Sequence, residues 1–507
     1  MPKKYWNGAY ECVGMPMSLK LNAKGAFYLY LIAHVIIWTL VPTLDRHCQH
    51  HDMLEGITQG LQYQWGYMKH PFLSMWLMAD VYRLAYHHDW VIYLFAQGLM
   101  CICFYYIWQL GRCFLPNGLA LIATILPQGL LFYNQESFNL NPDSFQLPFW
   151  AAITYYFYQV LMTNKTRDWL LLGVLSGLSF LIKYQFIFLL VPMLVFCLWQ
   201  EKTRRIFKNY RFYLSIGLAF LIVLPHLQWL VAHDFININY ALTVAKSYPH
   251  DANIPGFIEY LVNSTILLIL VFALYIPFYL SKKQSLTVNL FQKHFIWFAA
   301  FGPWFTTWVV TVASGDHMVS RLMTPYFSFI GLWIVSMWPP ILNKRAVVRF
   351  LLLIMLEILI LVVIPYLPNH QNSRSDAYLP NPEIAQYLEK IWAQHSSQPL
   401  QYIGGTRYLI SSVVPYFHIP PKPFFSLSLI SSPWIHVDDL KKQGAIFIWD
   451  IQRHYSWDNE SQSGAMVPND FYQQFPMANP GVHKTFYRWN KAHQPVVITI
   501  AILPPQP

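Results

Sequence analysis

Charge is what this chain lacks. Of its 507 residues only 11% are Asp, Glu, Lys or Arg, against about 25% in an ordinary soluble domain. A soluble chain of this length could not cover its surface with so few, which excludes an ordinary soluble enzyme, a disordered protein and a fibrous repeat. Cysteine is also scarce: of the six, only Cys48 lies in a loop assigned to the outer side, so a disulfide framework is not expected. Cys101-x-Cys103 sits within an apolar run without metal-site spacing. Internal repeats, low-complexity stretches, zinc-finger spacings and basic-aromatic RNA-binding patterns are missing too. The +10 formal charge therefore gives no reason to expect a nucleic-acid partner.

What is abundant is apolar surface. Hydrophobic residues make up 55% and aromatic residues 18%, and mean hydropathy is +0.32. A membrane-crossing helix needs about 20 mainly apolar residues. Eleven such runs are expected, near 24–42, 90–111, 117–134, 144–163, 168–183, 185–200, 211–231, 257–280, 293–313, 322–340 and 347–366. The fifth and sixth are divided only by Lys183, Tyr184 and Gln185, and read as a tight hairpin or as one kinked element. Pro2 to Met17 has no apolar core, and the first run is long enough to span, so no cleavable signal is expected.

Lys and Arg keep to the cytoplasmic loops of membrane proteins. With the amino terminus inside, eighteen of them fall in inside segments. Only six, Arg46, Lys69, Arg83, Lys183, Lys246 and Arg321, fall in outer segments before the tail. The expected topology is thus amino terminus cytoplasmic and carboxy terminus outside, in a plasma (inner) membrane. The expected organisation is a transmembrane domain over 1–366, with a first outer loop at 43–89, and an outer domain over 367–507. The tail alternates in Ala445–Trp449 and Val496–Ile500 and reads as a helix over Pro382–Gln394, the pattern of a small α/β domain.

The first outer loop carries the densest chemistry. Asp52 and Glu55 are three apart, which on a helix puts both carboxylates on one face. A carboxylate at the membrane surface suits proton abstraction from an acceptor hydroxyl; on spacing alone, a solvated amphipathic helix whose acids face water accounts for the pair more simply. His47, His50, His51 and Asp52 are ligand-type residues without a second cluster at defined spacing, so loop histidines are the simpler account. Lys69-His70-Pro71 sets a cation beside a proline-stiffened turn, suited to a phosphate, or to a lysine snorkelling to headgroups. Polar residues at other outer span ends are Asn139, Asn141, Asp143, Lys183, His226, His233, Asp234, Asp316, His317 and Arg321. Charges near membrane depth are costly and by default mark function. Together they favour a site at the outer membrane surface, open to lipid and solvent.

Several blocks resemble the bacterial family 39 glycosyltransferases of the membrane-embedded GT-C superfamily, which includes protein O-mannosyltransferases and the aminoarabinose transferase that modifies lipid A. The likeness rests on Asp52-x-x-Glu55, Gly66-Tyr67-Met68-Lys69-His70-Pro71 with Trp76, and Asn141-Pro142-Asp143. It continues in Gly173-x-x-x-Gly177 ending at Lys183-Tyr184, in Pro225-His226 with His233-Asp234, in Ser320-Arg321 and in the tail's Ser432-Pro433-Trp434. It implies eleven or more spans, two surface helices in the first outer loop, and an inverting transfer of sugar from a polyprenyl-phosphate donor. Asp52 would be the general base with Glu55 as neighbour or substitute. Lys69, Lys183 and Arg321 would meet the donor phosphate, and Tyr67, His70, Asp143, His233, Asp234 and His317 would line the substrate site. Expected partners are the polyprenyl-linked donor, membrane lipids, and a glycan, lipid (lipid A or lipopolysaccharide) or protein acceptor. No cofactor is required, though Asp52, Glu55 and a nearby histidine could hold a divalent metal. Two departures stand out. Phe72 replaces a usual second proline, and the acids are Asp-x-x-Glu rather than adjacent, which leaves open which is the base. The alternative is a transporter or flippase; such proteins favour mid-span charges and paired repeats, and neither is found here.

Overall fold

The computed structural model describes residues 22–86, 88–246, 253–286, 288–314, 323–363, 377–450, 467, 470–489 and 495–506. Among the described residues fourteen α-helices precede the tail: α1 (Ala23–Asp45), α2 (His51–Gly60), α3 (Leu73–Ala85), α4 (Asp89–Gly111), α5 (Asn117–Ile125), α6 (Pro142–Thr163), α7 (Thr166–Ile182), α8 (Ile187–Trp199), α9 (Tyr210–Ala232), α10 (Ile236–Lys246), α11 (Asn253–Tyr279), α12 (Leu290–Ser314), α13 (Ile330–Met337) and α14 (Lys344–Val363). The tail adds α15 (Asn381–Trp392), β1 (Tyr402–Gly405), α16 (Arg407–Val413), β2 (Lys422–Phe425), α17 (Val437–Gln443), β3 (Ala445–Asp450), α18 (Phe471–Gln474), β4 (Val482–Phe486) and β5 (Val496–Leu503).

The chain is a multi-span membrane protein. Among the described residues six helices, α1, α4, α9, α11, α12 and α14, are long and apolar enough to cross a bilayer. Each of the eleven apolar runs contains helix, but not all reach that grade. The third breaks after Ile125 into 3-10 turns around Pro127, and α13 has only 8 residues. The count of eleven spans is thus an expectation that these helix lengths do not establish. The fifth and sixth runs are interrupted at Lys183, whose backbone is extended, before a 3-10 turn leads into α8.

Close helix crossings explain two glycine pairs. A Cβ on Gly173 would lie 2.5 Å from the Ser215 carbonyl oxygen, so α7 and α9 meet backbone to backbone. Small residues permit this approach within a membrane, where packing rather than water drives association. In the first outer loop Gly56-x-x-x-Gly60 does the same for the two expected surface helices. A Cβ on Gly60 would overlap the Met75 carbonyl, which fixes α2 across α3.

The tail forms a five-stranded sheet in the order β2-β1-β3-β5-β4. Its first three strands are parallel (Ile403 opposite Ile446), while β5 runs antiparallel to β3 and β4 (Ala445 opposite Leu503). The expected helix and both expected strands are present. The expected domain boundary at 366/367 lies outside the described residues. One continuous apolar core joins Met53, Ile57 and Met78 of the loop helices to Leu388, Ile410 and Val414 of the tail. The sheet domain is therefore docked on the first outer loop.

Candidate active site

The site starts with α2. His50 caps its first turn, its ring accepting from the Asp52 amide, and the Nδ1 lies 3.6 Å from the Asp52 carboxylate. An acid in this turn suits the positive end of the helix. The Asp52 side chain keeps 29% of its exposure, whereas that of Glu55, one turn on, keeps 11%. The solvated-helix account fails here: Glu55 faces protein, because α2 is covered by α3 on one side and by α16 on another.

Glu55 is held from two directions. Arg407, at the start of α16, donates from Nε to its Oε1 at 2.7 Å, and Lys69 Nζ lies 3.1 and 3.3 Å from its two oxygens. Burial alone would raise the carboxyl's pKa, but the Arg407 guanidinium and the Lys69 ammonium outweigh it and hold it well below the ordinary carboxylate range. Arg407 is fixed in turn: its side chain is 4% exposed, its guanidinium lies over the Phe425 ring and its Nη1 donates to Met68 Sδ.

Lys69 stands in a tight turn. The Tyr67 amide donates to the His70 carbonyl, and Gly66 and Pro71 pair as an antiparallel bridge. Asn237 of α10 donates to the Tyr67 carbonyl, and the Tyr67 hydroxyl accepts from the Gln64 amide. The turn expected from Lys69-His70-Pro71 is thus present, with Phe72 packed edge-on against Trp65 instead of a second proline. Gly66 has no room for a Cβ beside the Trp229 ring. Desolvation and the neighbouring Lys183 and Lys69 push His70 down to about 3, so its ring is neutral.

Lys183 arrives from the bundle. Asn141 begins α6 with a capping box: its side chain accepts from the Asp143 and Ser144 amides. This places Asp143 in the first turn, 2.6 Å from Lys183 Nζ. The carbonyls of Ser179 and Lys183, at the end of α7, each accept from Gln146 Nε2 in addition to a backbone N–H. The Asp143–Lys183 pair is mostly buried, at 9% and 15% side-chain exposure. His226 bridges inward, with Nε2 on the Tyr184 hydroxyl and Nδ1 at 2.6 Å from the Trp65 carbonyl.

The remaining candidates sit at the edge or beyond. His233 stacks on Trp229 at 4.2 Å, one ring removed from Gly66. Asp234 is exposed in a left-handed turn, where its carbonyl accepts from Asn239. Arg321 and His317 lie outside the described residues. Among the described residues no group of three or more His, Cys, Asp or Glu side chains is disposed to hold a metal. The ligand-type residues of the loop are otherwise engaged. Glu55 is in ion pairs, His51 stacks on Tyr408 and meets Ser412, and His47 pairs with Glu383.

Sequence reading passed over Arg407. One signal was available: a cation opens a helix just after a Gly404-Gly405 strand end, where the helix dipole disfavours positive charge, so an acid partner is called for. That the partner is 352 positions away is information only the fold supplies.

The chain is similar to known proteins in sequence and in fold. Residues 69–229, from the Lys69 turn to Trp229, match the model of the dolichyl-phosphate-mannose-protein mannosyltransferase family. The chain is 28% identical over 184 residues to a lipopolysaccharide core galacturonosyltransferase of Rhizobium johnstonii. That alignment covers 35% of this chain and 37% of the relative, so it spans little more than a third of either. The fold is similar to that of ArnT from Cupriavidus metallidurans bound to undecaprenyl phosphate, with a TM-score of 0.56 at 13% identity over 94% of this chain and 98% of that one. The apo form of the same protein gives 0.53.

Proposed function

We propose that this chain, a GT-C glycosyltransferase by fold and by its family match over residues 69–229, moves a sugar from a polyprenyl-phosphate donor to an acceptor hydroxyl at the outer face of the inner membrane. The orientation follows the cation bias, with the amino terminus cytoplasmic and the sheet domain outside. The acceptor class is a lipid A or lipopolysaccharide glycan, in line with the galacturonosyltransferase relative.

The observation that carries this reading is the division of labour between the two first-loop acids. Glu55 is clamped by Arg407 and Lys69 and held ionised, so it serves poorly as a proton acceptor. Asp52, partly exposed on the same helix, remains for that role. In the proposed reaction the acceptor oxygen attacks the anomeric carbon while Asp52 takes its proton. The bond from that carbon to the phosphate oxygen breaks with its electrons, and the configuration inverts. Phosphate is already a fair leaving group, so positioning, one base and cations near the departing oxygen suffice. Lys69 and Lys183 supply those cations, each oriented by its carboxylate partner. An apolar slot of about 330 Å³ lies between α7, α8 and α9, lined by Phe180, Phe186 and Ser176 among others.

Mass spectrometry of lipids and glycans from cells lacking the gene tests this directly. The reading predicts one missing glycosyl unit and accumulation of the polyprenyl-linked sugar. An unchanged glycan profile, with labelled solute instead crossing vesicles that contain the protein, would replace it with the transporter reading.

A further inference from the structure

At the opposite end of α7 from Lys183 lies a second, differently built cavity. The chain bends through 108° after α8 into the 3-10 stretch Glu201–Lys208, which runs across the bundle end. Thr203 and Ile206 are buried and anchor this stretch, with Thr203 Oγ1 donating to the Cys197 carbonyl. Three of its four cations, Lys202, Arg205 and Lys208, are exposed and edge a cavity of about 900 Å³, while Arg204 donates to the Leu198 carbonyl and does not line it. None of the three is in an ion pair among the described residues. Glu201, the carboxylate of the same stretch, does not line the cavity.

This cavity and the apolar slot between α7, α8 and α9 share Trp169 and Ile206 as walls, so a basic mouth lies directly beside a hydrocarbon-lined slot. With 17 residues at 1.5 Å each, α7 is about 25 Å long, close to the roughly 30 Å thickness of a bilayer core. The basic mouth is therefore at the membrane surface opposite Lys183.

We propose that this mouth is a binding site for an anionic phospholipid, its phosphate on Lys202, Arg205 and Lys208 and one acyl chain in the slot. A zwitterionic lipid would bring its own cation against the three, and a free phosphate would leave the slot unfilled. Basic pockets between helices on the cytoplasmic side suit such headgroups. The site does not depend on the transfer reaction and stands or falls separately from it.

Native mass spectrometry of the full-length protein in detergent, with phosphatidylglycerol, phosphatidylcholine or glycerol phosphate added, tests the site. Each surface cation contributes roughly fivefold to anionic-lipid affinity. The triple variant Lys202→Gln, Arg205→Gln, Lys208→Gln should thus retain phosphatidylglycerol on the order of a hundredfold less, at unchanged helicity. A slot variant, Ser176→Phe, should weaken retention of phosphatidylglycerol while keeping its preference over phosphatidylcholine. Equal retention of the two lipids by the wild type, or a triple variant that holds phosphatidylglycerol as before, would overturn the proposal. Displacement by glycerol phosphate at the lipid's own concentration would overturn it as well, since the slot would then contribute nothing.

Discussion

Removing the Arg407 side chain tests the Glu55 clamp most sharply. In Arg407→Ala the Glu55 carboxylate keeps Lys69 but loses its shortest contact, at 2.7 Å, in surroundings where only 11% of its side chain is exposed. Breaking a buried pair strands the remaining charge and typically costs about 3–5 kcal/mol. Because Lys69 stays, a loss of about 3 kcal/mol is expected. Glu55→Gln alone should also destabilise, by leaving two cations facing each other. The double variant should then be less impaired than the sum of the singles, with a coupling energy of about 2 kcal/mol, well above the additive scatter of about 0.5 kcal/mol. Arg407→Lys should not rescue, since it cannot reach Glu55 and Met68 at once with a planar fork. Unfolding in mixed micelles, read by proteolytic release of the tail, supplies the four free energies. Additivity would refute the clamp and with it the assignment of Glu55 to a holding role. The folded Glu55 pKa is depressed, so the stabilisation is present above the ordinary carboxylate value and disappears only as pH falls through the lower, folded one. The coupling should therefore be undiminished at pH 5.

Other consequences are equally measurable. His70 falls from 6.5 to about 3 in the folded protein, so it is neutral when folded while the unfolded chain gains a proton below 6.5. Stability should drop as pH falls from 6.5 to 5 by about 2 kcal/mol at most. In His70→Gln that part of the slope should vanish; identical slopes in the two proteins would contradict this. Lys183→Met leaves Asp143 buried without its cation and should cost about 3 kcal/mol or more. Adding Asp143→Asn should recover most of that, as measured by unfolding of the purified variants. Gly66→Val forces the Trp229 ring away and opens the Gly66–Pro71 bridge. Transfer should fall while helical content by circular dichroism is kept.

Much of this was legible in the sequence for definite reasons. Helix positions follow from apolar runs that a bilayer demands, while the two surface helices of the first loop, α2 and α3, are expected only from the family resemblance. The tail strands show in the alternation of Ala445–Trp449 and Val496–Ile500. The grade of each span was harder to read. Pro127 and the 3-10 turns near it break a run that hydropathy treats as one, and Lys183 adopts an extended backbone between two apolar stretches. Among the candidate site residues, Asp52, Glu55, Lys69 and Lys183 stand out because charge is rare in this chain. Their pairing does not: spacing says nothing of whether Glu55 meets water or Arg407. The docking of the tail on α2, through Tyr408, Ser412 and Arg407, is a long-range event with no local trace. That docking turned a surface acid into a buried one.

The direct test of the central claim is sugar transfer by Asp52→Asn, measured in cells lacking the gene and complemented with either the variant or the wild type. Loss of a general base typically lowers the rate by about 10²–10⁴. The account predicts that the wild type restores the missing glycosyl unit and that Asp52→Asn does not, although it reaches the membrane in equal amount with its tail docked. Full restoration by Asp52→Asn would contradict the account and remove Asp52 from the reaction.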